Sequence, residues 1–96
     1  MTSYELFIAG QCANSLVALH NLQEVLERLP PGAVELTVTD VLSEPLKALD
    51  AGVLITPALL CRDHGKTRML VGSMNTRERL VAWLKSGGPT MNDDGV

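Results

Sequence analysis

Cys12 and Ser15 carry the clearest chemical possibility in this chain. A cysteine just ahead of a helix, with a serine three residues on, is the single-thiol form of a Cys-x-x-Cys redox motif. Unpaired amides and the helix dipole at such a terminus stabilise a thiolate. The second candidate is Thr56-Pro57, where an apolar run is interrupted early by proline. A cis peptide is costly except before proline, so Pro57 reads as a structural cis-proline shaping the loop that faces the first helix's N-terminus. In an oxidoreductase it would also touch substrate. Against that chemistry, position 15 holds no second cysteine, no aromatic or lysine flanks the motif, and nothing upstream resembles a glutathione clamp. The residues around the motif point to binding, with a monothiol oxidoreductase using Cys12 and Ser15 as the alternative.

The other metal-ligating and nucleophilic types add little. Cys61 sits in an apolar run and reads as core. His20 and His64 match no spacing that a tetrahedral zinc site uses, so neither a metal nor a cofactor is expected. The chain has 96 residues, enough for one small core, and its net charge is −3 with eight scattered Lys and Arg. That pattern argues against a phosphate-tracking surface for nucleic acid. The N-terminal stretch has neither a basic region nor an apolar segment long enough for a signal peptide or membrane span, so a cytoplasmic protein with free thiols is expected.

These residues are positioned by a simple succession of elements. Tyr4 to Ala9 reads as an apolar strand released by Gly10. A helix follows, with Asn14 or Ser15 as its cap and Leu16, Leu19, Leu22, Leu26 and Leu29 as its apolar stripe, ended by Pro30-Pro31-Gly32. From Ala33 to Val41 the pattern alternates, Val34, Leu36 and Val38 on one face and Glu35, Thr37 and Thr39 on the other. Ser43-Glu44-Pro45 starts a short helix that Gly52 ends. Proline cannot donate to a ladder, so Pro57 marks the beginning of the next strand, which runs to Cys61. Arg62 to Lys66 is turn chemistry, and Thr67 to Val71 is an antiparallel return strand. Asn75 to Glu78 fits a capping box for a last helix with Leu80, Val81 and Leu84 inward. Residues 1–88 form one domain in this reading and 89–96 a flexible tail. The order β-α-β-α-β-β-α is that of a minimal thioredoxin-like α/β sandwich.

Leu6-Phe7-Ile8-Ala9-Gly10, Asn14-Ser15, Ala18-Leu19, Asp40-Val41-Leu42, Pro45, Thr56-Pro57, Gly72 and Arg77-Glu78 together resemble the signature of the circadian clock KaiB family, over about Tyr4 to Leu84. The same domain opens the clock-linked histidine kinase SasA, although nothing kinase-like follows here. The resemblance implies a regulatory binding protein, not an enzyme, that docks on a KaiC-like ring ATPase or a related signalling protein. It also implies a possible homo-oligomer, dimer or tetramer, because family members interconvert between a thioredoxin-like form and a tetramer of different topology. Two departures stand out: Cys12-Ala13 in place of Thr-Pro, and Arg62 to Lys66 in place of a proline-rich run. The second swaps stiff, donor-poor residues for a ready hairpin turn, which favours the thioredoxin-like form. A sensor domain working with a kinase outside any clock is a further alternative.

In such a sheet the second strand lies at an edge, with Glu35 as the only charge before its terminal Asp40 and no interior proline. An edge so lightly protected invites another strand. Partner recognition is therefore expected at this strand and the segment after it, with Glu35, Thr37 and Thr39 tuning specificity.

Overall fold

The computed structural model describes residues 2–28, 34–63, 65–72, 74, 77–86 and 91–92. Their elements are β1 (Thr2–Ile8), α1 (Ala13–Leu26), β2 (Val34–Asp40), α2 (Pro45–Ala51), β3 (Ala58–Asp63), β4 (Lys66–Val71), α3 (Arg77–Ser86) and the two-residue β5 (Met91–Asn92). The sheet order is β2-β1-β3-β4-β5. β1 runs parallel to β2 and antiparallel to β3, β3 and β4 form a hairpin, and β5 lies parallel to β4. This is the expected thioredoxin-like order, with Ala58–Asp63 as strand and the hairpin closing from Asp63 to Lys66 around Gly65 at φ +76°. The polar end of the chain, expected as a tail, contributes β5; so short a strand rests on backbone pairing at the β4 edge and needs no burial of its own.

Period-two alternation in β1 divides the core between the two faces of the sheet. Tyr4 and Leu6 join Leu59, Cys61 and Leu70 beneath α1 and α3, while Phe7 joins Ala58 and Leu60 beneath α2, with Ala48 and Val53. On α1 the buried residues are Ser15, Ala18, Leu22 and Val25, with Leu19 and Leu26 partly covered. Leu16, expected in the stripe, is instead exposed. Ser15 explains the rotation: its Oγ accepts the Ala9 N–H at 3.1 Å, which turns the 15, 18, 22, 25 ridge inward. Ser15 is thus no helix cap, and the N-cap position falls to Cys12, which makes no side-chain capping bond. On β2, Val34 and Leu36 pack as expected, but Val38 remains exposed. The roles read for Leu29, Pro30 to Gly32, His64, Asn75 and Thr76 lie outside the described residues.

The last helix is fastened by an arginine. Arg68 of β4 lies 4.0 Å from the centroid of the buried Trp83 ring and donates to the carbonyls of Trp83 at 2.7 Å and Leu84 at 3.3 Å. One guanidinium therefore meets carbonyls in the last turn of α3 and covers the aromatic face. In the same core, Asn21 Nδ2 of α1 donates to Met74 O at 2.8 Å. That bond holds the buried Met74, whose φ is +56°, in place ahead of α3.

Tyr4 supplies a test of this packing. Burial, reinforced by the Cys61 thiol and opposed by Arg68, pushes its phenol up from 10.0 to about 12. The folded chain therefore holds this proton more tightly than the unfolded chain, so its contribution is fully present below about pH 10 and is lost as pH rises towards 12. The expected loss is on the order of 2 kcal/mol. It should be read as a fall in urea midpoint over that window that is smaller in Tyr4→Phe.

Candidate functional site

The thiol stands where the sequence places it. Strand β1 ends at Ile8, the turn passes through Gly10 at φ +56°, and Cys12 precedes the first residue of α1 with its side chain exposed. Its N–H donates to Ala9 O at 3.2 Å, and its carbonyl accepts the first helical bond from Leu16 N at 3.0 Å. Ser15 is buried, and its oxygen is engaged by the Ala9 amide. The two members of the motif are therefore separated by function: one faces solvent and the other ties strand to helix. The Thr56-Pro57 peptide bond is cis, and the Pro57 carbonyl accepts Gly72 N at 2.9 Å, linking the start of β3 to the end of β4. Cys61 is buried in β3 beside Tyr4.

Asp40, whose role was not evident from sequence, organises the turns around the thiol. Its Oδ1 accepts Gly10 N at 3.0 Å and Leu42 N at 2.9 Å, so one carboxylate fastens the β1–α1 turn to the loop that follows β2. The second bond, two residues onward, is an Asx turn, and an aspartate at the end of an alternating strand is the signal for it. The space at Gly10 is tight as well: a Cβ there would lie 3.1 Å from Leu42 Cδ1.

Among the described residues, strand β2 has a single neighbour, β1, and is an edge. Val41 N donates to Ile8 O at 2.8 Å. Parallel pairing alternates, so the N–H and C=O of Glu35, Thr37 and Thr39 turn towards β1, and those of Leu36 and Val38 turn to the open side. The side chains divide differently. Glu35 and Thr37 are exposed. Thr39 is buried, and its hydroxyl donates to Glu5 Oε2 at 2.7 Å, while Glu5 Oε1 meets Arg62 Nη1 at 3.3 Å. Thr39 thus belongs to a polar row across the sheet beneath α2, leaving Glu35 and Thr37 as the polar side chains exposed on the edge strand, beside the exposed Val38.

His20 is exposed on α1, with Nε2 3.5 Å from Glu24 Oε1. Among the described residues no group of three or more His, Cys, Asp or Glu is placed to hold a metal ion. Nor is any helix among them long and apolar enough to cross a membrane.

Residues 5–86 match the sequence model of the KaiB domain. The chain belongs to the KaiB family. It is 35% identical over 80 residues to the "Circadian clock oscillator protein KaiB" of Prochlorococcus marinus (strain MIT 9312), covering 83% of this chain and 76% of that relative. Among solved structures, the N-terminal domain of Synechococcus elongatus SasA superposes with a TM-score of 0.67 at 22% identity, over 86% of this chain and 82% of that one. Mitochondrial thioredoxin 3 of Saccharomyces cerevisiae gives 0.70 at 18%, over 83% and 74%. At those identities the two structures show the thioredoxin-like fold alone.

Two outcomes are expected at this site. Asp40→Ala leaves two amides without their acceptor and should cost about 1 to 3 kcal/mol in chemical denaturation. Cys12→Ser should leave stability and partner binding unchanged, measured by denaturation and by surface-immobilised binding. A robust disulfide reductase rate that disappears in the variant would instead make Cys12 a nucleophile.

Proposed function

We propose that this chain is a regulatory binding protein of the KaiB type, without catalytic activity, that docks on a KaiC-like ring ATPase or a related signalling protein. The observation that carries the reading is the open β2 edge in a chain of this family. Its outward amides and carbonyls belong to Leu36 and Val38, and Glu35 and Thr37 stand beside them. A strand of the partner that pairs there gains affinity from backbone hydrogen bonds and specificity from those side chains. Ser15, buried and accepting the Ala9 amide, supports binding over thiol chemistry, since its role here is to tie β1 to α1.

The alternation of β2 dictates how the edge is tested. Thr37→Pro would remove an amide that faces β1 and damage the sheet itself, whereas Val38→Pro removes one from the open side, where proline is tolerated. Capture from the native lysate with the folded wild-type chain, followed by mass identification, should recover a hexameric ATPase or a signalling kinase. Val38→Pro should weaken that complex about tenfold or more, with its circular dichroism retained. Unchanged affinity in a folded Val38→Pro variant would place the interface elsewhere.

A further inference from the structure

The sheet face under α1 and α3 changes character towards one end. Leu6, Tyr4 and Thr2 share one side of β1, Leu59, Cys61 and Asp63 one side of β3, and Leu70, Arg68 and Lys66 one side of β4. In the β3–β4 register Leu59 faces Leu70, Cys61 faces Arg68 and Asp63 faces Lys66. Each row therefore starts in the apolar core and ends in a polar residue, beside the last turn of α3. What remains there is a cleft of about 350 Å³, lined from the strands by Thr2, Tyr4, Asp63, Lys66 and Arg68 and from α3 by Leu84 and Lys85.

Three cations meet one carboxylate in this cleft, in a chain whose net charge is −3. The positive potential is therefore local and suits a single anionic group, whereas a nucleic-acid backbone would need a track of such sites. Arg68 supplies the fixed part. By donating to the carbonyls of Trp83 and Leu84 it covers the negative end of α3, which would otherwise repel an anion. Lys66 and Lys85 supply the adaptable part: both are exposed, and among the described residues neither has an ion-pair partner. Tyr4, only 5% exposed, reaches the cleft from the core, and its phenol keeps its proton at neutral pH.

We propose that the cleft binds a small, hydroxyl-bearing phosphate monoester of the sugar-phosphate class, the phosphate held by Lys66 and Lys85 and a sugar hydroxyl donating to Asp63. Charge selects the phosphate: a monoester carries about −1.5 to −2 at neutral pH and so answers both ammoniums, which a single carboxylate does not. Size selects a small body, since the cleft lies at the low end of the roughly 300–1,000 Å³ range of ligand sites. Chemistry selects the sugar over a nucleotide. The described lining offers Asp63 and Thr2 to hydroxyl groups but no exposed aromatic face on which a base could stack. The cleft shares no described lining residue with β2, so it stands apart from docking at that edge.

Titration of the isotope-labelled whole chain with glucose-6-phosphate at low salt, followed by NMR, tests this. Saturable shifts are expected at Thr2, Asp63, Lys66 and Lys85, with a dissociation constant of about 1 mM or tighter. Lys66→Gln and Lys85→Gln, each with a folded spectrum, should weaken binding about tenfold, whereas Arg28→Gln, which removes a cation elsewhere, should not. Glucose-6-sulfate, the same shape with less charge, should bind about tenfold more weakly. Asp63→Ala should weaken glucose-6-phosphate but not inorganic phosphate. The absence of saturable shifts up to about 10 mM would overturn the proposal, as would binding insensitive to both lysine variants. Inorganic phosphate that matches glucose-6-phosphate would reduce the cleft to an unspecific anion site and refute the sugar-phosphate assignment. A phosphoserine peptide that binds there more tightly than glucose-6-phosphate would give the cleft to a protein partner and refute it equally.

Discussion

Strand β1 is the constraint on which the other elements depend, because it joins the edge strand β2 to the β3–β4 hairpin and contributes to the core on both faces of the sheet. Its even-numbered residues exchange backbone bonds with β2 and its odd-numbered ones with β3. The same alternation sends Leu6 under α1 and α3 and Phe7 under α2, both fully buried. A slip of one residue would exchange the two cores and misplace Glu5, whose carboxylate joins Thr39 of β2 to Arg62 of β3. That polar row is a register pin: each partner is satisfied only when all three strands are aligned.

The turns at the thiol follow from the same alignment. Asp40 is paired with Ile8 across the β1–β2 ladder, so its carboxylate lies at the level where β1 gives way to Gly10. Ser15 then secures the helix to Ala9. A glycine, an aspartate and a serine thus fix the path of the chain at this end. Ser15 and Asp40 are committed to holding that backbone geometry, while the Cys12 side chain faces solvent.

Much of this was legible in the sequence because the signals were local. Pro45 and Gly52 bracket α2, Gly65 closes the hairpin, and strict alternation marks β2. The edge position of β2 followed from element order. What was not legible depends on contacts distant in sequence. The stripe of α1 was read from its leucines, yet the inward ridge is set by Ser15 reaching back to Ala9, so Leu16 turns outward. Thr39 looks like a surface residue in an alternating strand until Glu5 is brought beside it. The outward leucines of α2 could not be anticipated either: the helix is only seven residues long, and a single alanine suffices to seat it.

The two cysteines give the molecule a built-in clock of another kind. Cys12 is exposed in the native state, whereas Cys61 is sealed in β3 between β1 and β4. An alkylating reagent therefore meets the first thiol at once and the second only when the sheet opens. Once Cys12 is blocked, the slow modification of Cys61 counts openings of the central strands. Ligand or partner, by holding those strands closed, would write its affinity into that rate.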